Sequence, residues 1–151
     1  MGERMTSIHL YQAQKQDISE LHDLLKNYKE KDLNDCNFPE VDSVKLNKYL
    51  MTFLKIGKII CIKDLDKNKM VGSLIFHKSE YWFSKQKIMI IEMIYIQPQF
   101  RNYKLLKQLI DMVKKVSDNN PIVLSITSKL DIDPVFERLG FENMGSNWRL
   151  T

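Results

Sequence analysis

Apolar residues recur at helical spacing through the first third of the chain. Ile18, Leu21, Leu24, Leu25 and Tyr28 fall three and four residues apart, the stripe of an amphipathic helix buried on one side. A short alternating strand over Ser7 to Tyr11 precedes it, and Gln14 to Asp17 reads as the helix start. Asp32 to Val41, with Asn34, Asp35, Asn37 and Pro39, has the composition of a loop. Asp42 or Ser43 then caps a second helix, whose stripe is Val44, Leu46, Tyr49, Leu50, Phe53 and Leu54 and which ends near Gly57.

Beyond Gly57 the pattern changes to strands. Lys58 to Lys63 and Met70 to His77 read as an antiparallel pair joined by a polar turn over Asp64 to Lys69. After the aromatic run Tyr81-Trp82-Phe83, Lys87 to Ile96 is a longer apolar strand, stopped before Pro98 and expected at the centre of the sheet. Tyr103 to Ser117 carries Leu105, Leu106, Leu109, Ile110, Val113 and Val116 on one side and is a helix, and Pro121 to Thr127 is a further strand. A strand, helix and strand in this order make a right-handed crossover between parallel strands. Asp133-Pro134 opens a short helix through Leu139 that Gly140 stops, and Phe141 to Thr151 predicts a closing pair of strands around Gly145-Ser146. The expectation is one α/β domain over residues 1–151, with a mixed, mostly antiparallel sheet and helices on both faces.

Composition narrows the class. Hydrophobic residues make up 44% of the 151 and charged residues 28%, the balance of a globular protein rather than of a disordered chain. No apolar run approaches the ~20 residues that cross a bilayer, and Met1 to Thr6 lacks the apolar core of a secretion signal, so a cytoplasmic protein is expected. Cys36 and Cys61 are 24 residues apart with no Cys or His nearby at metal spacing, which predicts no metal site. Cys61, within Ile59-Ile60-Cys61-Ile62, reads as a buried thiol. A net charge of +4 suits an anionic partner without choosing one. The charges are spread along the chain, so there is no basic arm of the kind that binds nucleic acid.

Two segments carry a family resemblance. Glu92-Met93-Ile94-Tyr95-Ile96-Gln97-Pro98-Gln99-Phe100-Arg101 and Val135-Phe136-Glu137-Arg138-Leu139-Gly140-Phe141-Glu142 resemble, at about the right separation, the two best-marked blocks of the GNAT superfamily of acetyl-CoA-dependent N-acetyltransferases. The element order resembles that fold along almost the whole chain. The resemblance implies a splayed central sheet, acetyl-CoA as co-substrate, an amine as acceptor, no metal and, commonly, a homodimer. It places the cofactor turn at Arg101-Asn102-Tyr103-Lys104-Leu105-Leu106. There, backbone amides at a helix N-terminus face the pyrophosphate and the helix dipole favours its charge. It also implies that backbone groups of Ile94, Tyr95 and Ile96 pair with pantetheine. The sequence departs from the family in four places. Lys104 and Leu106 stand where small residues are usual, Phe136 where a thiolate-protonating Tyr is usual, and Lys129 where an Asn is common.

Acetyl transfer to an amine needs a proton acceptor and polarisation of the thioester carbonyl. Glu92 lies in an otherwise apolar strand, where strict alternation puts it on a face with Ile90, Ile94 and Ile96. It is the candidate base, in keeping with the acidic residue that the family often carries nearby. A structural ion pair with Lys87 and a surface-facing position are the competing readings. His22 reads as a surface residue and His77 as the end of a strand near the expected cleft, neither as the base. Ser125, Thr127 and Ser128 are candidate cofactor contacts or turn caps. Tyr28, Tyr49 and the Tyr81-Trp82-Phe83 run read as packing rather than acceptor-binding residues. With no evident Cys or Ser nucleophile, direct attack by the amine is expected. The alternative is an inactive module of the same fold that binds CoA, a protein or nucleic acid.

Overall fold

The computed structural model of the chain describes residues 7–33, 36–125, 133–145 and 147–151. Five strands, β1 (Ile8–Gln12), β2 (Lys58–Asp64), β3 (Lys69–Glu80), β4 (Lys87–Ile96) and β5 (Ile122–Leu124), lie side by side in chain order. The first four are antiparallel, while β5 runs parallel to β4. That reversal follows from the connection: α3 (Tyr103–Val116) crosses over between β4 and β5. Helices α1 (Ile18–Lys31) and α2 (Ser43–Ile56) separate β1 from β2, and α4 (Asp133–Arg138) follows β5. None of the helices among the described residues is long and apolar enough to cross a membrane.

Successive strand side chains point to opposite faces, and both faces are covered. On one, Leu105, Leu109, Ile110 and Val113 of α3 pack against Ile60, Ile62, Leu74, Phe76, Met89 and Ile91. On the other, Leu21, Leu24 and Leu25 of α1 and Leu50 and Phe53 of α2 pack against Ile59, Cys61, Ile75 and Tyr95. Cys61 is fully buried there, as its apolar neighbours predict. Asp42 caps α2 by accepting the Lys45 N–H at 3.0 Å, one of the two caps expected.

Three elements differ from expectation. β3 runs past His77 to Glu80 because the hairpin with β4 stays paired as far as Glu80 and Lys87. β4 is interior but fourth of five, so β3 takes the centre. The expected closing strands are missing among the described residues: 141–145 and 147–151 carry no regular structure, and Ser146 lies outside the described residues. The physical reason is twofold. β5 has only three residues to template a neighbour, and beyond Phe141, which packs against the core, Met144, Trp148 and Leu150 are 86%, 92% and 99% exposed, so little burial is gained by straightening the segment. The stretch of the expected fifth strand that includes Thr127 also lies outside the described residues.

Two irregularities shape the sheet. In β2–β3 the register slips between Ile62 and Lys63, and the freed Met70 N–H donates to Glu20 Oε1 of α1 at 2.7 Å. In β3–β4, Ile75 pairs with Met93 but Phe76 pairs with Ile91, so Glu92 is an extra residue, a β-bulge.

Candidate functional site

The bulge corrects the expected surroundings of Glu92. Met89 and Ile91 face α3, and an unbroken strand would continue with Met93 and Tyr95. Instead Ile94 and Ile96 join the α3 face, while Met93 and Tyr95 pack under α1 and α2. Glu92 therefore shares a face with Ile90 but not with Ile94 or Ile96. The expected alternation fails because the extra residue shifts its phase by one.

The same geometry brings Glu92 to His77. His77 sits opposite Ile90, so Glu92 is its diagonal neighbour, within reach of a long side chain. Nε2 of His77 lies 2.6 Å from Oε1 of Glu92, and Nδ1 lies 3.1 Å from the carbonyl oxygen of Lys78. Both partners are acceptors. The two contacts form together only when the pair holds one shared proton, as imidazolium with carboxylate or as imidazole with carboxylic acid. The His77 side chain is 17% exposed and that of Glu92 35%, so one end of the pair is enclosed and the other reaches solvent. Of the competing readings of Glu92, the ion pair with Lys87 is not formed, since Lys87 pairs with Glu80, while the residue does lie at the surface, its carboxylate engaged by His77.

Helix α2 walls this pair. The Phe53 ring is 5.4 Å from the His77 ring and 4.7 Å from the Tyr49 ring. Burial, with the charge of Glu92 second, pushes the Tyr49 phenol up to about 12, so it stays a neutral hydroxyl near pH 7. At the end of α2, a Cβ on Gly57 would lie 2.5 Å from the Phe76 carbonyl oxygen and 3.0 Å from His77 Cβ. Only glycine permits that approach, which seats the helix end against His77.

The other predicted site residues gather where β4 meets α3. Pairing of β4 with β5 covers Met89 to Ile91 only, so beyond Ile91 the β5-facing edge of β4 has no strand partner among the described residues. Ile94, Tyr95 and Ile96 pair with Leu74, Ser73 and Gly72 of β3. Asn102 caps α3: its Oδ1 accepts the Leu105 N–H at 2.8 Å and its carbonyl accepts the Leu106 N–H at 3.2 Å. The N–H groups of Tyr103 and Lys104 have no acceptor among the described residues and remain available to an anion. Leu106 packs into the α3 core, and Lys104 is exposed.

Arg101 is engaged from within the protein. Its Nε donates to the Ile96 carbonyl at 2.6 Å, and Nη2 meets Asp32 at the end of α1 at 2.7 Å. The guanidinium also lies 5.9 Å from the Tyr95 ring, which packs at 4.4 Å against Tyr28. Thus Arg101 fastens the turn to α1, and the Ile96 carbonyl is already occupied. Sequence reasoning missed Asp32 and also Arg138, whose guanidinium stacks 3.7 Å from the Tyr103 ring. It set aside His77 and Tyr49. For His77 a signal existed, because folding the hairpin about Tyr81 to Gln86 places it diagonal to Glu92. Phe136 packs edge-on against Phe141 at 5.5 Å. Thr127, Ser128 and Lys129 lie outside the described residues. Among the described residues, no three His, Cys, Asp or Glu side chains cluster as a metal site requires.

Comparison with known proteins agrees with this architecture. Solved structures superpose over nearly the full chain. One is a predicted acetyltransferase with acetyl-CoA from Clostridium acetobutylicum, with TM-score 0.71 and 19% identity over 96% of each chain. Another is a ribosomal-protein-alanine N-acetyltransferase from Brucella melitensis biovar Abortus, with TM-score 0.70 and 16% identity over 96% of this chain and 99% of that one. A third is an aminoglycoside acetyltransferase from an uncultured soil metagenomic sample, with TM-score 0.69 and 16% identity over 95% of both. At such identities they show the shared fold. No curated protein matches the sequence. Residues 57–149 match the acetyltransferase (GNAT) domain, and so the chain belongs to the GNAT acetyltransferase family.

Proposed function

We propose that the chain transfers the acetyl group of acetyl-CoA to a primary amine by direct attack, with Glu92 as the proton acceptor. The observation that carries this reading is the bulge, which presents one carboxylate from an apolar strand just past Ile91, the last β4 residue paired with β5 among the described residues. Glu92 removes a proton from the acceptor ammonium. The freed nitrogen lone pair attacks the thioester carbonyl carbon, the C–N bond forms, and the C–S bond breaks as the second nitrogen proton is released to water. The thiolate takes its proton from solvent, since Phe136 has none to give. The N–H groups of Tyr103 and Lys104, with the Lys104 ammonium, would hold the pyrophosphate. Backbone groups of Ile94 and Tyr95 would meet pantetheine, and Arg101 would brace the turn.

The acceptor class is a protein lysine, a protein N-terminus or a small-molecule amine. The similar structures include one acting on ribosomal-protein alanine and one on aminoglycosides, so the fold accommodates both kinds. A second reading, a CoA-binding module without turnover, draws on Phe136 and on the prior engagement of Arg101 with Asp32. Calorimetry with acetyl-CoA and turnover on a broad panel of primary amines separate the two. The expected result is binding that Lys104→Glu weakens, with acetylation that Glu92→Gln slows by about 10²-fold or more. Binding without turnover on any amine favours the module. No binding by the folded chain overturns both readings.

A further inference from the structure

The proposed role of Glu92 leaves His77 without a task, yet its ring makes the shortest polar contact to that carboxylate. We propose that His77 is the positioning residue of Glu92: the imidazole fixes Oε1 so that the other carboxylate oxygen faces the acceptor amine. The inference rests on the acetyltransferase reading above and adds a residue to it.

Three observations converge. Nε2 lies 2.6 Å from Oε1, the short spacing of a charge-assisted bond. The ring is itself held, by the Lys78 carbonyl at Nδ1, by Phe53 at 5.4 Å on its flank and by Gly57 against its Cβ. Oε2 of Glu92, by contrast, has no partner among the described residues, and the side chain is 35% exposed. A carboxylate on a bulge has lost one ladder neighbour and depends on such a strut for its direction. Of the nearby ionisable groups, Tyr49 on α2 is a neutral hydroxyl, and the Lys78 ammonium, which alternation along β3 turns to the other face, is 3.5 Å from Asp118. Neither replaces the imidazole.

Misplacing a catalytic group by 1 Å can cost ~10²-fold in rate. His77→Ala should therefore lower kcat by about 10- to 100-fold with the KM for acetyl-CoA unchanged, and His77→Gln, whose amide can still donate to Oε1, should recover part of the loss. A readout independent of turnover accompanies this. In the free wild-type protein the His77 ring N–H should give a proton resonance shifted far downfield by the short bond to a carboxylate, and Glu92→Gln should abolish it. Thermal melts and acetyl-CoA calorimetry identify folded variants.

An active wild type with an equally active His77→Ala overturns the positioning role alone. A missing resonance in a folded, active wild type overturns it as well. A resonance that is present in a wild type inert toward every amine overturns the acetyltransferase reading, and this role with it, leaving a structural ion pair.

Discussion

At the residue scale, the two cysteines make opposite predictions from one sequence. Burial pushes the Cys61 thiol from 9.0 up to about 12, whereas Cys36 is half-buried. Near neutral pH, iodoacetamide should modify Cys36 and leave Cys61 untouched until the chain unfolds, as mass spectrometry of the labelled peptides would read. Linkage gives a second consequence. Cys61 and Tyr49 both bind their protons more tightly folded than unfolded, so their effect is absent near neutral pH. Stability should fall as pH rises from 9.0 towards about 12, the window in which the unfolded chain has released protons that the folded one keeps. A denaturation midpoint that stayed level across that window would contradict the burial of these groups.

Elements were legible where periodicity was long. The α3 stripe from Leu105 to Val116 fixed a helix correctly because burial of one face decides its phase, and the β2–β3 pair followed from a polar turn between two apolar runs. The bulge at Glu92 was not legible, because one extra residue in an apolar strand leaves composition unchanged and shows itself only in the pairing register. The terminal segment failed for a different reason: alternation was too weak to choose a strand without an edge to bind it. The candidate base was readable as a charge among apolar neighbours, but its partner His77 required the hairpin register. The turn that opens α3 makes its own prediction. Asn102→Ala removes the acceptor for the Leu105 N–H and should cost about 1 kcal/mol of stability by urea denaturation, with little change in the far-ultraviolet spectrum.

At the scale of the whole molecule, distant parts of the chain are tied across the site. Asp32 at the end of α1 holds Arg101 before α3, and Arg149 near the C-terminus donates to the Cys36 carbonyl at 2.9 Å while lying 5.1 Å from the Phe38 ring. The irregular terminal segment thus contributes an anchor to the loop between α1 and α2 without forming a strand. Arg149→Ala should raise the alkylation rate of Cys36 several-fold and leave Cys61 protected, the second thiol serving as an internal control. Equal rates in both proteins would mean that the anchor does not restrain the loop.

The bulge also bears on how this strand tolerates change. β4 resembles a message whose reading frame is shifted by one letter partway through: the letters before Glu92 are read in one frame and those after it in the other. Removing that letter would give a regular strand in which Met93 still faces Ile75 and Tyr95 keeps its layer, whereas straightening the strand with Glu92 retained would send Tyr95 to the layer that now receives Ile94 and Ile96. The packing of the two layers thus sets no demand on which side chain stands at this position, and the carboxylate there answers to the proposed chemistry alone.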